Sequence, residues 1–429
     1  MLFILSLYFS AVLLYGINSD RQNNYSGTGF GFCNIPSNSI EADIFKSAGA
    51  DFVRIDISWC YLEKPDGSWD YSRYDRIIPS AYKNGNKIIF ILDYDRPGLH
   101  GADDNKRRIK PEEIPAYLNY VEHVVNRWGK YAYGYEIWNE PNHPRFWQGP
   151  EKDYFLLAEE TGKLLKKIAP ESFVAAGSIM YNPWMGGRMF LKKLIKSGAL
   201  EYADALSIHP YGTWIPDQAD RVKKARTLLN KNGYSQKQLW ITEIGYPTET
   251  MFPYRTNPED MPYKISEALI RLSASGADII IWYKLFTSKE AEKQSGAFGG
   301  ASFGLMYREK DGSYIPKNGL NTWGIIARNL GGSTFAPESV NVSSNNQLDT
   351  VLRVFAFRRI DGSVLLALWS VKDSVTVKLK NYSGNFLIIN TINGIEKKYS
   401  DTQAFRVSGE PLIIKIEKAE KTIAISGAG

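Results

Sequence analysis

Two glutamates stand at the ends of two β-forming runs, and their types and positions could support catalysis. Glu140 lies in the motif WNEPN, and Glu243 lies in the motif LWITEIGY. Two carboxyl groups about 5–5.5 Å apart can cleave a glycosidic bond with retention of configuration. One attacks the anomeric carbon, while the other protonates the leaving oxygen and later deprotonates a water molecule. This chemistry requires a fold that brings positions 140 and 243 to one cleft.

The elements around these motifs predict such a fold. Residues 28–330 alternate short apolar runs with amphipathic helical stretches, the pattern of βα units around a parallel sheet. Eight candidate strands and eight candidate helices, the last at Leu320–Leu330, predict a (β/α)8 TIM barrel, an α/β fold. The candidate strands are Gly29–Cys33, Phe52–Trp59, Lys87–Tyr94, Tyr133–Asn139, Phe173–Gly177, Ala205–His209, Leu239–Glu243 and Ile279–Leu285.

The two glutamates then follow strands 4 and 7 at the carboxyl-terminal face of the barrel, where active sites of this fold lie. Strands 4 and 7 are far enough apart around the ring to face each other across its mouth. An open, doubly wound sheet is the alternative, but no glycine-rich turn follows the first strand.

The chain divides into three predicted parts. Residues 1–24 contain an uncharged apolar run at Leu2–Ile17, which predicts a signal segment or an N-terminal membrane anchor and hence export to the cell surface or the medium. Residues 25–331 form the barrel. Residues 332–429 lose helical periodicity and predict a small antiparallel β-sandwich with a loose tail, its strands at Thr350–Arg358, Val364–Ser370, Val375–Leu379, Phe386–Asn390 and Pro411–Ile416.

Composition excludes several functional classes. The net charge of +6 is small for 429 residues and no basic run is present, so a nucleic-acid partner is not expected. Two cysteines, Cys33 and Cys60, cannot form a structural zinc site, and two unpaired buried thiols are favoured over one bridge. No grouping has metal-ligand spacing, no cofactor motif is present, and no serine occupies a Gly-x-Ser-x-Gly elbow. Aromatic residues make up 13% of the chain, which suits a carbohydrate partner.

The two motifs also carry a family resemblance. YEIWNEPN at 135–142 and LWITEIGY at 239–246 resemble the strand 4 and strand 7 motifs of the retaining β-glycosidases of glycoside hydrolase clan A. The resemblance is closest to family 39, with family 5 as the alternative, and it covers residues 28–330. The strand 3 end, at Asp93–Pro97, lacks the histidine that many family 5 enzymes carry near this point, so the residues that fix the far sugar hydroxyls stay unassigned.

The resemblance implies roles for individual residues. Glu140 matches the acid/base and Glu243 the nucleophile, whereas Glu136 on strand 4 is not expected to be catalytic. The implied substrate-binding residues are Asn139 at the sugar 2-hydroxyl, Arg54 supporting the nucleophile, Tyr211 bonded to the nucleophile, His209 lining the sugar site, and Trp282 flooring the subsite of cleavage. The charge of Arg54 is expected to keep Glu243 ionised, and the charge of Glu243 is expected to raise the pKa of Glu140.

Further aromatic residues are candidates for contact with substrate. Trp147, in the loop after strand 4, is either a subsite platform or a loop anchor, and Trp59, Trp184 and Trp214 are weaker candidates. Aromatic loops around the mouth favour an open cleft and endo cleavage. The glycine-rich stretch Ser295–Gly304 is predicted to be a mobile rim loop.

The sequence therefore predicts a monomeric, retaining β-glycoside hydrolase that needs no cofactor or metal and acts on an oligosaccharide or polysaccharide outside the cell. Two alternatives stay open. A non-catalytic carbohydrate-binding barrel would use the same carboxylates only to hold sugar hydroxyls. A cell-surface transglycosylase would use the same residues with a different acceptor.

Overall fold

The structure is a computed structural model that describes residues 27–99, 107–248, 257–294, 300–343, 348–419 and 421–428. The predicted N-terminal segment at 1–24 and positions 295–299 of the glycine-rich stretch lie outside the described residues. Within the described ranges, no helix is long and apolar enough to cross a membrane.

Eight parallel strands close into a barrel in sequential order, which confirms the predicted fold class. The barrel closes where the first strand pairs with the eighth, with Gly29 opposite Ile279 and Phe32 opposite Trp282. The strands are β1 (Gly29–Cys33), β2 (Phe52–Asp56), β3 (Lys87–Leu92), β4 (Ala132–Ile137), β5 (Phe173–Met180), β6 (Ala205–His209), β7 (Gln238–Ile244) and β8 (Ile279–Trp282).

Alternation along the strands separates two apolar cores. The barrel interior is filled by one face of the strands, including Phe52, Tyr133, Trp240 and Ile281. The opposite face packs against the surrounding helices, which lie at Ser39–Ala48, Trp59–Leu62, Ser72–Lys83, Ile114–Trp128, Glu151–Ile168, Gly187–Ser197, Ile215–Lys231, Met261–Ser273 and Leu320–Leu330. The interior is thus a packed core that leaves room for a site only at the mouth.

Three short strands extend the chain after β8. They are β9 (Phe286–Thr287), β10 (Met306–Arg308) and β11 (Tyr314–Pro316), and they form a three-stranded sheet, with a short helix at Lys289–Gln294 between the first two. The predicted rim loop at Ser295–Gly304 lies between β9 and β10, and its described part includes a short 3-10 helix at Gly300–Phe303. Phe286 on β9 and Arg308 on β10 form a wall beside the barrel mouth.

Two packed sheets follow the barrel, as predicted. The six-stranded sheet has the order β12-β14-β15-β20-β17-β18, and the four-stranded sheet has the order β13-β21-β16-β19. A short helix at Leu348–Val351 precedes β14. The strands are β12 (Ser333–Phe335), β13 (Val340–Val342), β14 (Leu352–Arg359), β15 (Val364–Ser370), β16 (Val375–Lys380), β17 (Asn385–Asn390), β18 (Glu396–Ser400), β19 (Phe405–Val407), β20 (Leu412–Ile416) and β21 (Ile423–Gly427).

The prediction of a loose tail is wrong. β21 pairs antiparallel with β16 and parallel with β13, so it lies inside the four-stranded sheet. Ile423 and Ile425 have no exposed surface and pack into the core between the two sheets. Their alternation with small residues outweighs the charged stretch that precedes them.

The six-stranded sheet packs its outer face on the barrel. Phe355 and Trp369 stack on each other, and the guanidinium of Arg271, from the helix Met261–Ser273, lies over both rings. A hydrogen bond of 2.8 Å joins the Ser266 and Thr391 hydroxyls across the same contact. Trp369 therefore packs against the barrel and helps the sandwich to brace it.

Candidate active site

The backbone after β4 turns sharply and presents Glu140. Trp138 and Glu140 adopt left-handed backbone angles, with φ of 66° and 47°, which non-glycine residues seldom adopt. The amide N–H of Glu140 donates to the carbonyl oxygen of Ser178, which lies on the neighbouring strand β5. These strained positions place the Glu140 carboxyl group in the barrel mouth while burying it almost completely.

Glu243, on β7, points to the same place. One carboxylate oxygen of Glu140, one of Glu243 and a ring nitrogen of His209 all lie within 4.8 Å of one another. The side chain of Glu243 is 15% exposed, so it is the part of this group that a substrate can reach. The fold thus brings together the two carboxyl groups that the sequence singled out.

Arg54 holds both barrel carboxylates in place. Its Nη1 donates to Oε1 of Glu243 at 2.6 Å, and its Nε donates to Oε2 of Glu136 at 2.6 Å. Its Nη2 donates to Oδ1 of Asn139 at 3.0 Å. Glu136 is fully buried in the barrel interior, so its role is to fix the guanidinium rather than to react.

Asn139 and Tyr211 complete the polar frame. The Asn139 amide Nδ2 donates to the Tyr94 hydroxyl at 3.1 Å, which fixes the orientation of an amide beside the acid/base. The Tyr211 hydroxyl donates to Oε2 of Glu243 at 3.0 Å. Both oxygens of Glu243 therefore accept a hydrogen bond from a buried donor, and the carboxylate has a single fixed orientation.

His209 links the acid/base to the barrel interior. Its Nδ1 lies 2.9 Å from Oε1 of Glu140, and its Nε2 lies 3.1 Å from the Thr242 hydroxyl. Thr242 donates its one proton to Oε1 of Glu136 at 2.7 Å, so the imidazole Nε2–H donates to Thr242. Burial and the charge of Arg54 lower the pKa of His209 well below its usual value, which keeps the ring neutral.

A neutral ring with its proton on Nε2 leaves Nδ1 as an acceptor. Glu140 must then be the donor, so the carboxyl group of Glu140 carries a proton in the free protein. The pKa directions agree, because burial, and secondly the charge of Glu243, raise the pKa of Glu140 well above its usual value. The sequence predicted that the charge of Glu243 raises this pKa, and in the structure burial is the larger cause.

Burial also raises the pKa of Glu243, against the charge and hydrogen bond of Arg54 and the hydrogen bond of Tyr211. Because Glu140 is buried without a cationic partner and Glu243 is paired with Arg54, the shared proton resides on Glu140. The pair thus separates into one acid and one carboxylate.

The same three side chains could hold a metal ion on distance alone. However, the atoms that would bind an ion already take part in hydrogen bonds. Nδ1 of His209 is occupied by Glu140, and the two oxygens of Glu243 are occupied by Arg54 and Tyr211. The arrangement suits a protonated acid beside an oriented carboxylate.

The prediction that Trp282 floors the sugar site is wrong. Trp282 has no exposed surface and packs with Tyr246 among the side chains that face the helices. Tyr283, the next residue, joins the interior face and lines the cavity beside Glu243. Strand alternation therefore places the tyrosine, not the tryptophan, at the site. Gly245 permits this, since a Cβ there would lie 2.1 Å from the Tyr283 carbonyl oxygen.

Trp147 is a loop anchor and not a subsite platform. It is only 4% exposed, contacts Trp138 edge to face at 5.1 Å and donates from Nε1 to the Pro150 carbonyl oxygen. It therefore packs behind the strand that carries Glu140. Trp184 and Trp214 are 74% and 66% exposed, whereas Trp59 is fully buried.

A cavity of about 470 Å³ opens beside Glu243, within the size range of small-molecule sites. Several of its lining residues were missed by sequence reasoning, because they come from strands, helices and loops without a recognisable motif. They are Asp56, Tyr61, Arg73, Tyr94, Tyr283, Lys284 and Arg308. Reading two residues past the end of β3 and one residue past the end of β8 would have found Tyr94 and Tyr283.

Cys33 and Cys60 are both free thiols. Burial raises the pKa of Cys33 well above its usual value, so the thiol beside the site is neutral.

Comparison with known proteins places this arrangement in a family. The family model for cellulase (glycosyl hydrolase family 5) matches residues 22–282, more than half of the chain. The chain belongs to this family. Membership confirms the predicted relationship to glycoside hydrolase clan A, within which family 5 was the alternative to family 39.

Individual proteins resemble this chain in sequence or in fold. A β-xylosidase from Geobacillus stearothermophilus is 22% identical over 323 residues, which cover 68% of this chain and 57% of that protein. A family 39 glycoside hydrolase from Bacteroides cellulosilyticus WH2 superimposes with a TM-score of 0.71 at 19% identity, covering 92% of this chain and 82% of that one. A family 30 subfamily 8 xylanase from Clostridium acetobutylicum gives 0.61 at 14% identity, with coverages of 92% and 96%.

The chain thus spans little more than half the length of the β-xylosidase that it matches. The similar solved structures support the same barrel-and-sandwich fold.

Proposed function

We propose that the protein is a retaining β-glycoside hydrolase that cleaves β-linked oligosaccharides or polysaccharides by double displacement. The observation that carries the proposal is the approach of the Glu140 and Glu243 oxygens to within 4.8 Å. Retaining enzymes hold their carboxyl groups about 5–5.5 Å apart, whereas inverting enzymes need about 6.5–9.5 Å to admit a water molecule. The spacing leaves room for direct attack on the anomeric carbon.

The first half-reaction uses the two carboxyl groups in different protonation states. The ionised Glu243, oriented by Arg54 and Tyr211, attacks the anomeric carbon, and the bond from that carbon to the leaving oxygen breaks. Glu140 transfers its proton to the leaving oxygen, and the product is a glycosyl ester of Glu243.

The second half-reaction reverses these roles. Once Glu243 is esterified, it no longer carries a charge, so the pKa of Glu140 falls and Glu140 can accept a proton from water. The water oxygen attacks the anomeric carbon and the ester bond breaks, which restores both glutamates. Tyr94 lines the cavity and accepts a hydrogen bond from Asn139, so this pair is placed to bind sugar hydroxyls.

We also propose endo action on extracellular polysaccharide. The cavity beside Glu243 adjoins a second cavity of about 490 Å³, and the two share four lining residues, which supports several subsites in a row. The apolar run at 2–17 supports export, either as a secreted or a surface-anchored protein.

Substitution of the two glutamates tests the function. Glu243→Ala and Glu140→Ala should each lower kcat by about 10³-fold or more, because each removes a group that reacts. Sodium azide should partly restore Glu140→Ala, with an activated aryl β-glycoside, because azide attacks the glycosyl ester of Glu243 without a base and leaves as the β-glycosyl azide. With Glu243→Ala no ester forms, so any azide product should have the inverted configuration. Lys224→Ala, at an exposed lysine that lines neither cavity, is the control and should keep wild-type turnover. Full activity in either glutamate variant would contradict the proposal.

A further inference from the structure

Lys284 is a half-buried ammonium group in the wall of the active-site cavity. It follows β8 directly and lines both the cavity that contains Glu243 and the adjoining cavity. Among the described residues, no carboxylate lies within 4.0 Å of its Nζ. It contacts an aromatic ring instead, since Nζ lies 5.5 Å from the centroid of Tyr283.

The neighbouring charges do not neutralise Lys284. Arg308, which lines the same two cavities, repels it and is itself bound to Glu41 at 2.9 Å. Glu292 attracts it, but this carboxylate forms its own ion pair with Lys317. Cys33 contributes no charge while its thiol is protonated. Burial lowers the pKa of Lys284, the expected consequence of an ammonium removed from water without a partner.

The position of the acidic groups tells where an anion would fit. Asp56 and Glu243 line only the cavity at the barrel mouth, and Glu309 lines only the adjoining cavity, whereas Lys284 and Arg308 line both. The residues shared by the two cavities therefore include two cations and no carboxylate, which makes the junction the cationic part of the cleft. A lysine held there without a carboxylate partner is costly to the free protein, so an anionic ligand would gain from pairing with it.

We propose that Lys284, assisted by Arg308, binds the carboxylate of an acidic sugar next to the sugar that is cleaved, so that the substrate is a β-linked glycan that contains uronic acid. This inference rests on the proposed function and names its substrate class. Lys284 acts as a specificity residue, while Glu140 and Glu243 carry the chemistry.

The test compares acidic oligosaccharides with neutral partners of the same linkage. The probes are glucuronoxylan oligosaccharides, β-1,4-linked glucuronate oligosaccharides and β-1,4-linked mannuronate oligosaccharides, each beside its carboxyl-reduced form. For at least one pair, the kcat/KM of wild type should be roughly 10- to 100-fold higher for the acidic oligosaccharide than for its carboxyl-reduced form. This factor is the value of one charge-assisted contact. Lys284→Met should lower this ratio by at least about tenfold, and Lys284→Arg should keep most of it.

Lys224→Met is the matched control, because Lys224 lines neither cavity, is 60% exposed and already pairs with Asp220. It should leave the ratio unchanged. A wild-type ratio of one or less for every pair, or a ratio that Lys284→Met does not change, would overturn the inference. A higher kcat/KM for a sulfated oligosaccharide of the same linkage than for the acidic one would overturn the carboxylate assignment.

A binding measurement separates this inference from the proposed function. Titration calorimetry of the Glu243→Gln variant measures its affinity for the acidic and the carboxyl-reduced oligosaccharide of each pair, without turnover. Cleavage of glycans with no acidic preference would refute the inference and leave the function standing. Lys284-dependent binding of the acidic form without any cleavage by wild type would refute the function and leave the inference standing.

Discussion

At the scale of single residues, one proton distinguishes two similar glutamates. Glu140 faces a neutral imidazole nitrogen, whereas Glu243 faces a guanidinium and a phenol. The environment, and not the residue type, therefore sets which is the acid. Thr242 acts indirectly, because its hydroxyl fixes the tautomer of His209 in which Nδ1 is an acceptor.

This separation predicts a bell-shaped dependence of kcat/KM on pH. Activity should fall at low pH as Glu243 gains a proton and at high pH as Glu140 loses one, with both limbs above the usual range of a glutamate because both pKa values are raised. In Glu140→Gln, hydrolysis of an activated aryl β-glycoside should lose the alkaline limb and keep the acidic one. An alkaline limb that persists in this variant would assign it to another group.

Site residues could be predicted from sequence where a strand end carries a distinctive motif. Glu140, Asn139 and Glu243 lie in such motifs. Trp282 was misassigned because the run Ile279–Trp282 is apolar on both faces, so the sequence contains no visible alternation to show which side chains face inward. Lys284 was missed because nothing in the chain reveals that a lysine lacks a counter-ion.

At the scale of elements, the loop after β4 supports the catalytic turn by packing. Trp147 contacts both Trp138 and Tyr154 edge to face, and Trp138 donates from Nε1 to the Phe146 carbonyl oxygen. The left-handed residues of the turn are therefore held by an aromatic cluster. Spacing alone cannot distinguish such a cluster from a sugar platform, since both need aromatic residues near the mouth.

Substitution of tryptophans distinguishes these two roles. Trp147→Ala should lower the free energy of unfolding by about 3–5 kcal/mol, because it leaves a cavity in a packed cluster. Trp184→Ala, at a side chain that is 74% exposed, should change it by less than about 0.5 kcal/mol. Chemical denaturation monitored by circular dichroism gives both values. Equal stability of the two variants would contradict the assignment of Trp147 as an anchor.

At the scale of the whole molecule, the barrel and the sandwich share apolar surface. Phe357, Leu365 and Ile413 of the six-stranded sheet belong to the same core as the barrel helices. The eight-stranded ring and the change to β-rich sequence near residue 332 could be predicted, because their periodicities are strong. The place of β21 could not, because a five-residue strand beside a charged stretch gives a weak signal.

The closing strand predicts a stabilising role for the C-terminus. Deletion of residues 422–429 removes two fully buried isoleucines and leaves β13 and β16 without their shared neighbour. The free energy of unfolding should fall by about 3–6 kcal/mol, the value of burying two such side chains. Deletion of residues 428–429 alone is the control and should have little effect. Unchanged thermal unfolding of the longer deletion would indicate that the tail does not pack.

The central claim is that Glu243 attacks an anomeric carbon while Glu140 donates the proton. Its most direct test is to incubate the protein with 2,4-dinitrophenyl 2-deoxy-2-fluoro-β-glycosides, whose glycosyl esters hydrolyse slowly, and to locate the adduct by peptide mass spectrometry. The geometry predicts one stoichiometric glycosyl adduct, carried by Glu243. An adduct on another residue, or hydrolysis that yields the inverted anomer with no adduct, would contradict the account.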